Sequence, residues 1–564
     1  MIGIDLGTTN SLVAVLRDGV PMVLENELGE TLTPSAVAVA EDGAILVGRA
    51  AKDRLVMAPQ EGRAFFKRDL GTETRYRFGG RQWSPVECSA LILQEMKRIA
   101  ELRLGQPVDR AVITVPAYFH DSQRSATVEA AKLAGLKVER LLNEPTAAAL
   151  AHGIREPGDE STLLVFDLGG GTFDVTLLEV FDGVVEVKAS AGESRLGGED
   201  YTDALTAWIA REYHFVASPA QSGKWRHQLE QLKRRLTTEQ KSTVQAGEML
   251  LPVNREDFRA ATAELTGRLW PVVRRCLRDA GVTPKHLSAV LLVGGASRMP
   301  LIVEGIRDIL EIEPRADLDP DRVVALGAAV QQGLCDGAEA LGELVLTDVC
   351  PHTLGVMVSK QLAPGHHEPG YFEPVIDRNT TVPVSRSKSF NTLHPHQDEI
   401  KIQVYQGESR KVEENLKIGE VSIKGLRHAP NQHHPGEVDV RFTYDMNGLL
   451  EVEVTNLSSG QKAQKVFQQR PGSLSPAEIS AVLARLAPLK VHPRDHLENR
   501  ARLERANRLF AELSGPMRGQ LSEFIDHFEM SLTQQDREQI QATGEELDRF
   551  MAPFFRSEEE DREF

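Results

Sequence analysis

The sequence predicts a duplicated α/β domain of two similar lobes, followed by a β-sandwich and a short helical region. Two related loops carry the first part of this prediction, DLGTTN at 5–10 and DLGGGTFD at 167–174. Each lies between two apolar strand-type runs, and each outgoing run reaches an Asp-Gly pair (18–19 and 182–183) that favours a hairpin. Because this repeat is longer than the roughly 20–50 residues of a solenoid unit, it indicates two similar domains facing each other. Short β-type runs after Val349 predict the sandwich.

The composition is that of an acidic globular protein with several domains. A length of 564 residues suggests about three or four domains. The formal net charge of −17 argues against a nucleic-acid partner or an anionic membrane partner. The four cysteines are scattered without a CxxC pair, which favours reduced thiols. No apolar run approaches the ~20 residues of a membrane span, and Met1 opens directly onto the first strand without room for a signal peptide. We therefore expect a cytoplasmic protein.

The two Gly- and Thr-rich loops have the residue types of a phosphate-binding site. Their backbone N–H groups and hydroxyls can bind phosphate oxygens, and glycine allows a close approach. Asp5 and Asp167, at the strand ends, are hard oxygen ligands suited to Mg²⁺, usually through the waters of the ion. Neither loop is a Walker A or dinucleotide motif, since the required pattern is absent and no helix follows. Two such loops could clamp one polyphosphate from opposite sides.

The first half continues with a charged loop and a capped helix. Residues 59–71 contain FFKRDLG, in which Lys67 could reach a phosphate as a point charge or form a solvated pair with Arg68. The sequence Ser-Pro-Val-Glu at 84–87 is a capping box with proline at the first helical position, and it opens a helix that runs to about Gly105.

A buried-type strand and two helices follow. The strand covers 111–115, and Asp121 is predicted to cap a helix closed by Gly135. Residues 143–153 form a small-residue helix suited to close packing against another helix. Glu144, just before its start, is either an acid facing the cleft or a carboxylate that stabilises the helix N-terminus.

The same order recurs after the second loop. Ala289–Val293 is a strand ending in GGASRMP, and 324–333 is another Ala/Gly helix. Between the halves lie LGGED at 196–200 and a charged helix at 225–236. A charged helix face is usually solvated. Here Glu230 and Lys233 could also line a nucleoside pocket with the glycines of GGASRMP.

The second half changes character after a short apolar run at 342–348. Six β-type runs separated by turn residues predict a β-sandwich, with a hairpin at Asn447-Gly448. The runs are 354–358, 380–384, 400–405, 420–423, 438–444 and 449–455. A second capping box at 475–478 opens charged amphipathic helices that continue to the end of the sequence.

Six motifs in this order resemble the actin-like ATPase domain of DnaK-type (seventy-kilodalton heat-shock) chaperones: IGIDLGTTNS, VITVPAYF, NEPTAAA, FDLGGGTFDV, LGGED and VGGASRMP. The resemblance is strongest through residue 340 and covers essentially the whole chain. It implies an actin-like nucleotide-binding domain at 1–341, an interdomain linker at 342–349, a β-sandwich peptide-binding domain at 350–470 and a short helical lid at 471–564. The implied function is that of an ATP-dependent chaperone, which binds and releases unfolded or extended polypeptide under control of ATP hydrolysis.

The resemblance also assigns the nucleotide site. The residues implied to bind ATP or ADP are Gly7, Thr8, Thr9, Gly169, Gly170, Gly171, Gly197, Gly198, Glu230, Lys233, Thr237, Gly294, Gly295, Arg298 and Asp321. The residues implied in hydrolysis are Lys67, Glu144, Asp167 and Thr172, and those that organise Mg²⁺ and K⁺ are Asp5, Asp167 and Glu144. This set fits phosphoryl transfer, which needs positioning and charge neutralisation more than covalent chemistry.

Further residues are implied to couple the domains and to bind peptide. Those implied in coupling are Pro116, Arg124, Leu344, Val345, Leu346 and Asp348, and the linker among them docks on the ATPase domain in one nucleotide state. Those implied to line an apolar slot for an extended peptide are Val356, Phe390, Ile400 and Ile402, with Ser359 and Leu393 as an arch over it. Taken singly, each apolar residue of this group is ordinary sandwich core.

Three features depart from the family pattern. The segment between Thr237 and Arg255 is expected to lack a hairpin near the exchange-factor surface, which puts the usual nucleotide-exchange factor in doubt. Residues 360–376 are longer and richer in Pro, Gly and His than the matching loop, so the arch is altered. The short lid and the ending EEEDREF resemble a short-lidded, HscC-like branch. A J-domain cochaperone is expected as a partner.

Two other classes of function are compatible with a duplicated fold of this kind. A kinase or a filament-type ATPase could share it, but a sugar kinase would not need the C-terminal half. A nucleotide-regulated binding module with negligible hydrolysis would keep the fold without turnover. The presence of Lys67, Glu144, Asp167 and Thr172 counts against that module.

Overall fold

The computed structural model describes most of the chain. The described residues are 1–153, 160–181, 184–218, 221–315, 318–338, 345–363, 366–393, 397–426, 436–446, 448–467, 497–513 and 515–560. Several sequence predictions fall wholly or partly outside them: the turn at 182–183, residues 342–344 of the linker including Leu344, Asn447 of the hairpin, the capping box at 475–478 with the lid before residue 497, and the last four residues of EEEDREF.

The first lobe is built around a sheet in the order β11-β10-β1-β2-β3, in which β1 is parallel to β10 and antiparallel to β2. Its strands are β1 (Ile2–Asp5), β2 (Asn10–Arg17), β3 (Val20–Val23), β4 (Thr33–Pro34), β5 (Ala36–Val39), β6 (Ile45–Val47), β7 (Gly62–Ala64), β8 (Tyr76–Phe78), β9 (Arg81–Trp83), β10 (Arg110–Val115) and β11 (Lys137–Asn143). Its helices are α1 (Arg49–Met57), α2 (Pro85–Leu104), α3 (Asp121–Leu133) and α4 (Glu144–Gly153). Residues 2–4 of β1 and 12–15 of β2 are buried in this sheet, as expected for strands covered on both faces.

The second lobe repeats this arrangement. Its strands are β12 (Ser161–Leu168), β13 (Phe173–Phe181), β14 (Val184–Glu193), β15 (Lys241–Ala246), β16 (Met249–Asn254) and β17 (Ala289–Val293). Its helices are α5 (Gly198–Tyr213), α6 (Ser222–Thr238), α7 (Arg255–Asp279), α8 (Pro300–Leu310) and α9 (Val323–Cys335). Strand β12 is parallel to β17 and antiparallel to β13, so the order β17-β12-β13-β14 matches β10-β1-β2-β3. The predicted duplication is confirmed.

The two alanine-rich helices α4 and α9 pack against each other where the lobes meet. A Cβ added to Gly327 of α9 would come 1.7 Å from the Ala147 carbonyl oxygen of α4. A Cβ on Gly3 of β1 would come 2.5 Å from the Ala328 carbonyl carbon of α9. Small residues therefore allow the backbones of α4, α9 and β1 to approach closely where the lobes meet.

Two local predictions were wrong. The segment between Thr237 and Arg255 does contain a hairpin, since β15 and β16 pair antiparallel around Gly247-Glu248, with Gly247 at a φ of 63°. Alternate residues of both strands are buried, which gives the hairpin one face on the lobe core. His120 rather than Asp121 is the residue before α3, and Asp121 is the first helical residue.

The second half is a sandwich of two sheets, β21-β20-β24-β25 and β23-β26-β27-β28. The linker contributes β18 (Val345–Leu346), and the strands that follow are β19 (Asp348–Val349), β20 (Leu354–Ala363), β21 (His366–Ile376), β22 (Thr381–Val382), β23 (Val384–Asn391), β24 (Glu399–Gln406), β25 (Leu416–Lys424), β26 (Glu437–Tyr444), β27 (Leu450–Asn456) and β28 (Lys462–Phe467). Residues 360–376, expected to extend a loop, belong largely to the paired strands β20 and β21. The predicted sandwich is confirmed.

Three helices follow in the described part of the C-terminal region: α10 (Leu497–Glu512), α11 (Gly515–Gln534) and α12 (Arg537–Glu560). They share a small core that includes Leu509, Leu521, Phe528 and Met551. Within the described residues, none of the helices has the length and apolar character needed to cross a membrane.

The sandwich is docked on the two lobes. Strand β18 of the linker pairs parallel with β14 of the second lobe. Arg378 of the sandwich donates to Asp279 at 3.0 Å, and Tyr444 donates to Asp121 at 3.3 Å. The backbone N–H of Ser190 donates to Asn379 at 3.0 Å. The sandwich thus contacts elements of both lobes.

Candidate active site

The cleft between the lobes contains all but two of the predicted nucleotide, catalytic and metal residues. It has a volume of about 400 Å³, in the range of small-molecule sites. The predicted residues that line it are Asp5, Gly7, Thr8, Thr9, Lys67, Glu144, Asp167, Gly169, Gly170, Thr172, Gly198, Glu230, Lys233, Thr237, Gly294, Gly295, Arg298 and Asp321. Gly171 and Gly197 lie directly behind the lining.

The two Gly- and Thr-rich loops meet across this cleft. A Cβ on Gly170 would come 1.9 Å from the Thr9 hydroxyl, and a Cβ on Gly171 would come 2.7 Å from the Thr8 methyl. A Cβ on Gly197 would come 2.5 Å from the Gly171 nitrogen. Any side chain at these three positions would therefore push the loops apart. The lining of the cleft at this point consists of backbone and threonine side chains, the groups from which proteins form anion-binding surfaces.

Three carboxylates and one lysine form the floor of the cleft. Lys67 Nζ donates to Glu144 Oε1 at 2.7 Å, and Thr114 donates to Asp5 Oδ1 at 3.0 Å. Burial, reinforced by Glu144, raises the pKa of Asp5 to about 7. Burial and Glu144 also raise the pKa of Asp167 well above its usual value. Burial is the main cause of both shifts, and the three buried carboxylates, which face a single ammonium group, add to it by mutual repulsion.

This excess of negative charge fits a bound cation. Oδ2 of Asp167 is buried without a hydrogen-bond partner within the protein. Among the described residues, no group of three or more His, Cys, Asp or Glu side chains is arranged to hold a metal ion alone. The donor set therefore suits an ion that keeps waters and takes further oxygens from a phosphate, as Mg²⁺ usually does.

The far side of the cleft is built by α6. Lys233 Nζ lies 2.6 Å from Glu230 Oε2 and donates to the Gly198 carbonyl at 2.7 Å. Burial disfavours the Glu230 carboxylate, but Lys233 and Arg234 outweigh burial and lower its pKa to about 2. Arg298 pairs with Asp319 and with Asp321, which lies 3.1 Å away. The result is a polar wall of paired charges.

Some lining residues were not predicted. Arg234 follows Glu230 by one helical turn, so the helix period could have placed it in the cleft. Leu32 and Pro320 also line the cleft, and no sequence motif marks them. Arg68, considered as half of a solvated pair, instead donates to both Asp200 carboxylate oxygens at 2.8 and 3.0 Å and bridges the lobes.

The predicted coupling residues lie between the cleft and the sandwich. Arg124 donates to the Ala117 carbonyl at 3.1 Å and to Asn143 Oδ1 at 2.6 Å. The Pro116 carbonyl accepts from the Phe119 N–H at the turn before α3. Val345 and Leu346 form β18 on the edge of the second-lobe sheet, and Asp348 is buried.

The predicted peptide-binding residues are divided between core and surface. Val356 and Ile402 are fully buried in the sandwich core, while Phe390 and Ile400 are half-buried against it. Ser359 is half-buried on β20, and Leu393, at 46% exposure, follows β23. In this arrangement two of the four slot residues are ordinary core, so the slot stays a prediction.

Comparison with known proteins decides the family. The family model described as Hsp70 protein matches residues 1–561. The chain is 39% identical over 490 residues to the chaperone protein DnaK of Thermotoga neapolitana, covering 83% of this chain and 80% of that protein. It is 38% identical over 503 residues to the DnaK proteins of Thermotoga petrophila and Thermotoga maritima, covering 86% of this chain and 82% of each relative. The chain belongs to the Hsp70 family.

Membership in the Hsp70 family establishes the general activity. Hsp70 proteins are ATPases, so this chain is an Hsp70-type ATP-dependent chaperone for unfolded polypeptides. The alternative of a kinase or filament-type ATPase fails because the match continues through the sandwich and helices. These matches do not distinguish an HscC-like branch from other branches of the family, so that narrower assignment stays a prediction.

Proposed function

We propose that the cleft binds ATP with Mg²⁺ and K⁺, and that its hydrolysis controls the grip of the sandwich on an extended peptide. The observation that carries this proposal is the meeting of the two loops, where Gly170 approaches Thr9 too closely for any side chain. Because of this close approach, backbone groups from both lobes line the same part of the cleft. A polyphosphate there would hold the lobes together, and its loss would let them separate.

The protein residues of the floor would position the reacting groups. Lys67 supplies a fixed positive charge at the γ-phosphate side, held in place by Glu144. The Thr172 hydroxyl, buried in the second loop, orients the phosphate and the attacking water. Asp5, Asp167 and Glu144 would hold Mg²⁺ and K⁺ largely through water, and the bound cations neutralise charge on the phosphates.

The wall formed by α6 and the GGASRMP segment would hold the nucleoside. Glu230 and Lys233 are mutually paired and keep fixed positions, which suits recognition of ribose hydroxyls. Thr237 and Asp321 line the same wall. Gly294 and Gly295 also line this wall, and because they carry no side chain they leave room for a flat base.

The sandwich would bind peptide in a second, released state. In the docked structure the linker strand β18 is held by β14, and the sandwich is held by contacts such as Arg378 with Asp279. Release of these contacts after hydrolysis would free the slot residues to rearrange. Val356, Phe390, Ile400 and Ile402 would then face an extended ligand, with Ser359 and Leu393 above it.

Partners and location belong to the same proposal. A J-domain cochaperone would stimulate hydrolysis. The segment between Thr237 and Arg255 contains the hairpin of β15 and β16, so a nucleotide-exchange factor of the usual kind is included among the partners to be tested. A cytoplasmic location stays a prediction from composition, and the cysteines in the described residues are unpaired.

Steady-state ATP hydrolysis of the full chain, with and without an unfolded peptide rich in Leu and Val, tests the proposal. We expect peptide to stimulate hydrolysis, because coupling between two sites is reciprocal. Thr172→Ala should abolish turnover, whereas Thr283→Ala, on an exposed turn, should not change it. Full turnover in Thr172→Ala would overturn the assignment of the cleft, and turnover indifferent to peptide would overturn the proposed coupling.

A further inference from the structure

Two histidines stack across the boundary between the first lobe and the sandwich. His120 precedes α3, and His352 follows the linker. Their ring centroids lie 4.3 Å apart with planes 19° from parallel. Tyr118 packs on His352 at 4.2 Å between centroids, and its carbonyl lies 3.2 Å from His352 Nε2. The stack therefore exists only while the sandwich is docked.

The surroundings of this stack suit neutral imidazoles. His352 is 2% exposed, and a carbonyl as the partner of Nε2 fixes Nε2 as the protonated nitrogen of a neutral ring. His120 Nδ1 and the polar atoms of the Gln406 side chain are buried next to each other, and Gln406 is the one neighbour that favours a charged His120 ring, against the larger effect of burial. A second proton on either ring would therefore place a charge in a desolvated contact with another imidazole.

The charged groups around the stack act in two directions. Burial lowers the pKa of His120, and burial, with His120 and the guanidinium groups of Arg124 and Arg275, lowers the pKa of His352 well below its usual value. Asp121, on α3, opposes this trend: burial, with the neighbouring Asp445, raises its pKa to about 6, so in the docked state it takes up a proton as the pH falls toward 6.

The remaining facing groups come from the sandwich and the linker. Glu408 pairs with Arg378 and accepts a hydrogen bond from Thr353. The Cys350 thiol donates to the His352 carbonyl, and Tyr444 donates to Asp121. Burial raises the pKa of Asp348. The two buried aspartates favour docking at low pH, and the histidines disfavour it.

We propose that the His120–His352 stack is a pH-sensitive latch, which holds the sandwich docked at neutral pH and weakens docking on mild acidification. Undocking exposes both rings to water, where their ordinary pKa is about 6.5. Below that pH the undocked state binds more protons than the docked state, so protonation favours undocking. The two histidines alone should lower the docking equilibrium by about tenfold between pH 8.0 and 6.0. Proton uptake by Asp121 and Asp348 in the docked state reduces that fall.

Small-angle X-ray scattering of the full chain, with and without ATP, gives a direct measure of docking through the radius of gyration. We expect the wild-type radius to rise between pH 8.0 and 6.0. The double variant His120→Asn and His352→Leu cannot titrate, so its radius should stay constant or fall as the aspartates take up protons. His367→Gln, an exposed histidine on β21, should behave as the wild type.

Equal pH profiles for the wild type and the double variant would overturn the latch. Because that variant could fail to dock, histidine NMR titration of the unmodified chain provides a second measurement. Two rings that titrate well below pH 6 in the docked chain support the proposal, and ordinary pKa values for both overturn it. Neither measurement depends on hydrolysis, so a failure here is distinct from a failure of the ATPase assignment.

Discussion

Asn143 Nδ2 donates a 2.7 Å hydrogen bond to Oδ2 of Asp348, and both side chains are buried. Asn143 immediately precedes Glu144 of the cleft floor, whereas Asp348 lies at the end of the linker. Arg124 donates to Asn143 from the other side at 2.6 Å. The Asn143 side chain therefore lies between the carboxylate cluster of the cleft and the linker, and it is hydrogen-bonded to the linker.

Asn143→Ala should uncouple peptide binding from hydrolysis. The change leaves the buried Asp348 carboxylate without its amide donor, and a hydrogen bond to a charged group contributes about 1.5–3 kcal/mol. We expect docking to weaken by roughly 10- to 100-fold. Peptide stimulation of ATP hydrolysis should be lost while basal hydrolysis remains. The matched control is Asn254→Ala, which removes the N-cap of α7 far from the linker. If stimulation survives in Asn143→Ala, this hydrogen bond does not carry the coupling.

Lys67→Ala should impair hydrolysis more than nucleotide binding. Lys67 is 3% exposed and neutralises Glu144 beside Asp5 and Asp167. Its loss removes the fixed positive charge of the floor, and removal of one preorganised group of this kind typically lowers kcat by about 10²–10³. Single-turnover hydrolysis and ATP affinity, measured separately, check this. Lys97→Ala, at a solvent-exposed contact with the Gly135 carbonyl, should leave both unchanged. A kcat within a few fold of the wild type would contradict the role of Lys67.

The parts of the fold that could be predicted are those with local sequence signals. The two Gly-rich loops, the alanine helices and the alternating runs of the sandwich mark their elements directly. The β15–β16 hairpin was missed because its turn, Gly247-Glu248, lacks the Asn-Gly or Asp-Gly pattern and Pro252 interrupts the second run. Proline within a run normally argues against a strand.

Contacts between residues far apart in the chain have no such local signal in the sequence. The residue types of the cleft followed from the motifs, but the pairing of Arg68 with Asp200 depends on how the lobes approach each other. The stack of His120 on His352 likewise arises from docking of the sandwich. Single residues far apart in sequence cannot indicate a contact by periodicity or spacing.

Glu230→Gln should destabilise the protein by an amount that stays constant from pH 8 to pH 5. Burial disfavours the carboxylate, but Lys233 and Arg234 lower its pKa to about 2. A lowered pKa contributes stability that is complete above the unfolded value of about 4.3 and is lost as the pH falls toward 2. The cost should be on the order of 2–3 kcal/mol, reduced by solvent screening on the Arg234 side. Urea denaturation at pH 5, 7 and 8 measures it. Glu239→Gln, exposed at the end of the same helix, should cost little. A cost that changes steeply between pH 7 and 5 would contradict this explanation.

Two glycine substitutions should have opposite effects on stability. In Gly327→Ala the new methyl group would lie 1.7 Å from the Ala147 carbonyl oxygen, so α9 and α4 must move apart. Overpacking of this kind costs about 1–3 kcal/mol, and it also displaces Glu144 at the start of α4. We therefore expect a lower thermal midpoint and weaker ATP binding.

Gly267 provides the contrasting substitution. It lies in the middle of α7, and a Cβ added there would meet nothing within 4 Å. Gly267→Ala should therefore stabilise the helix by about 0.5–1 kcal/mol without affecting ATP binding. Thermal unfolding and ATP titration of both variants measure these effects. Equal behaviour of the two variants would show that the α4–α9 contact is looser than this structure indicates.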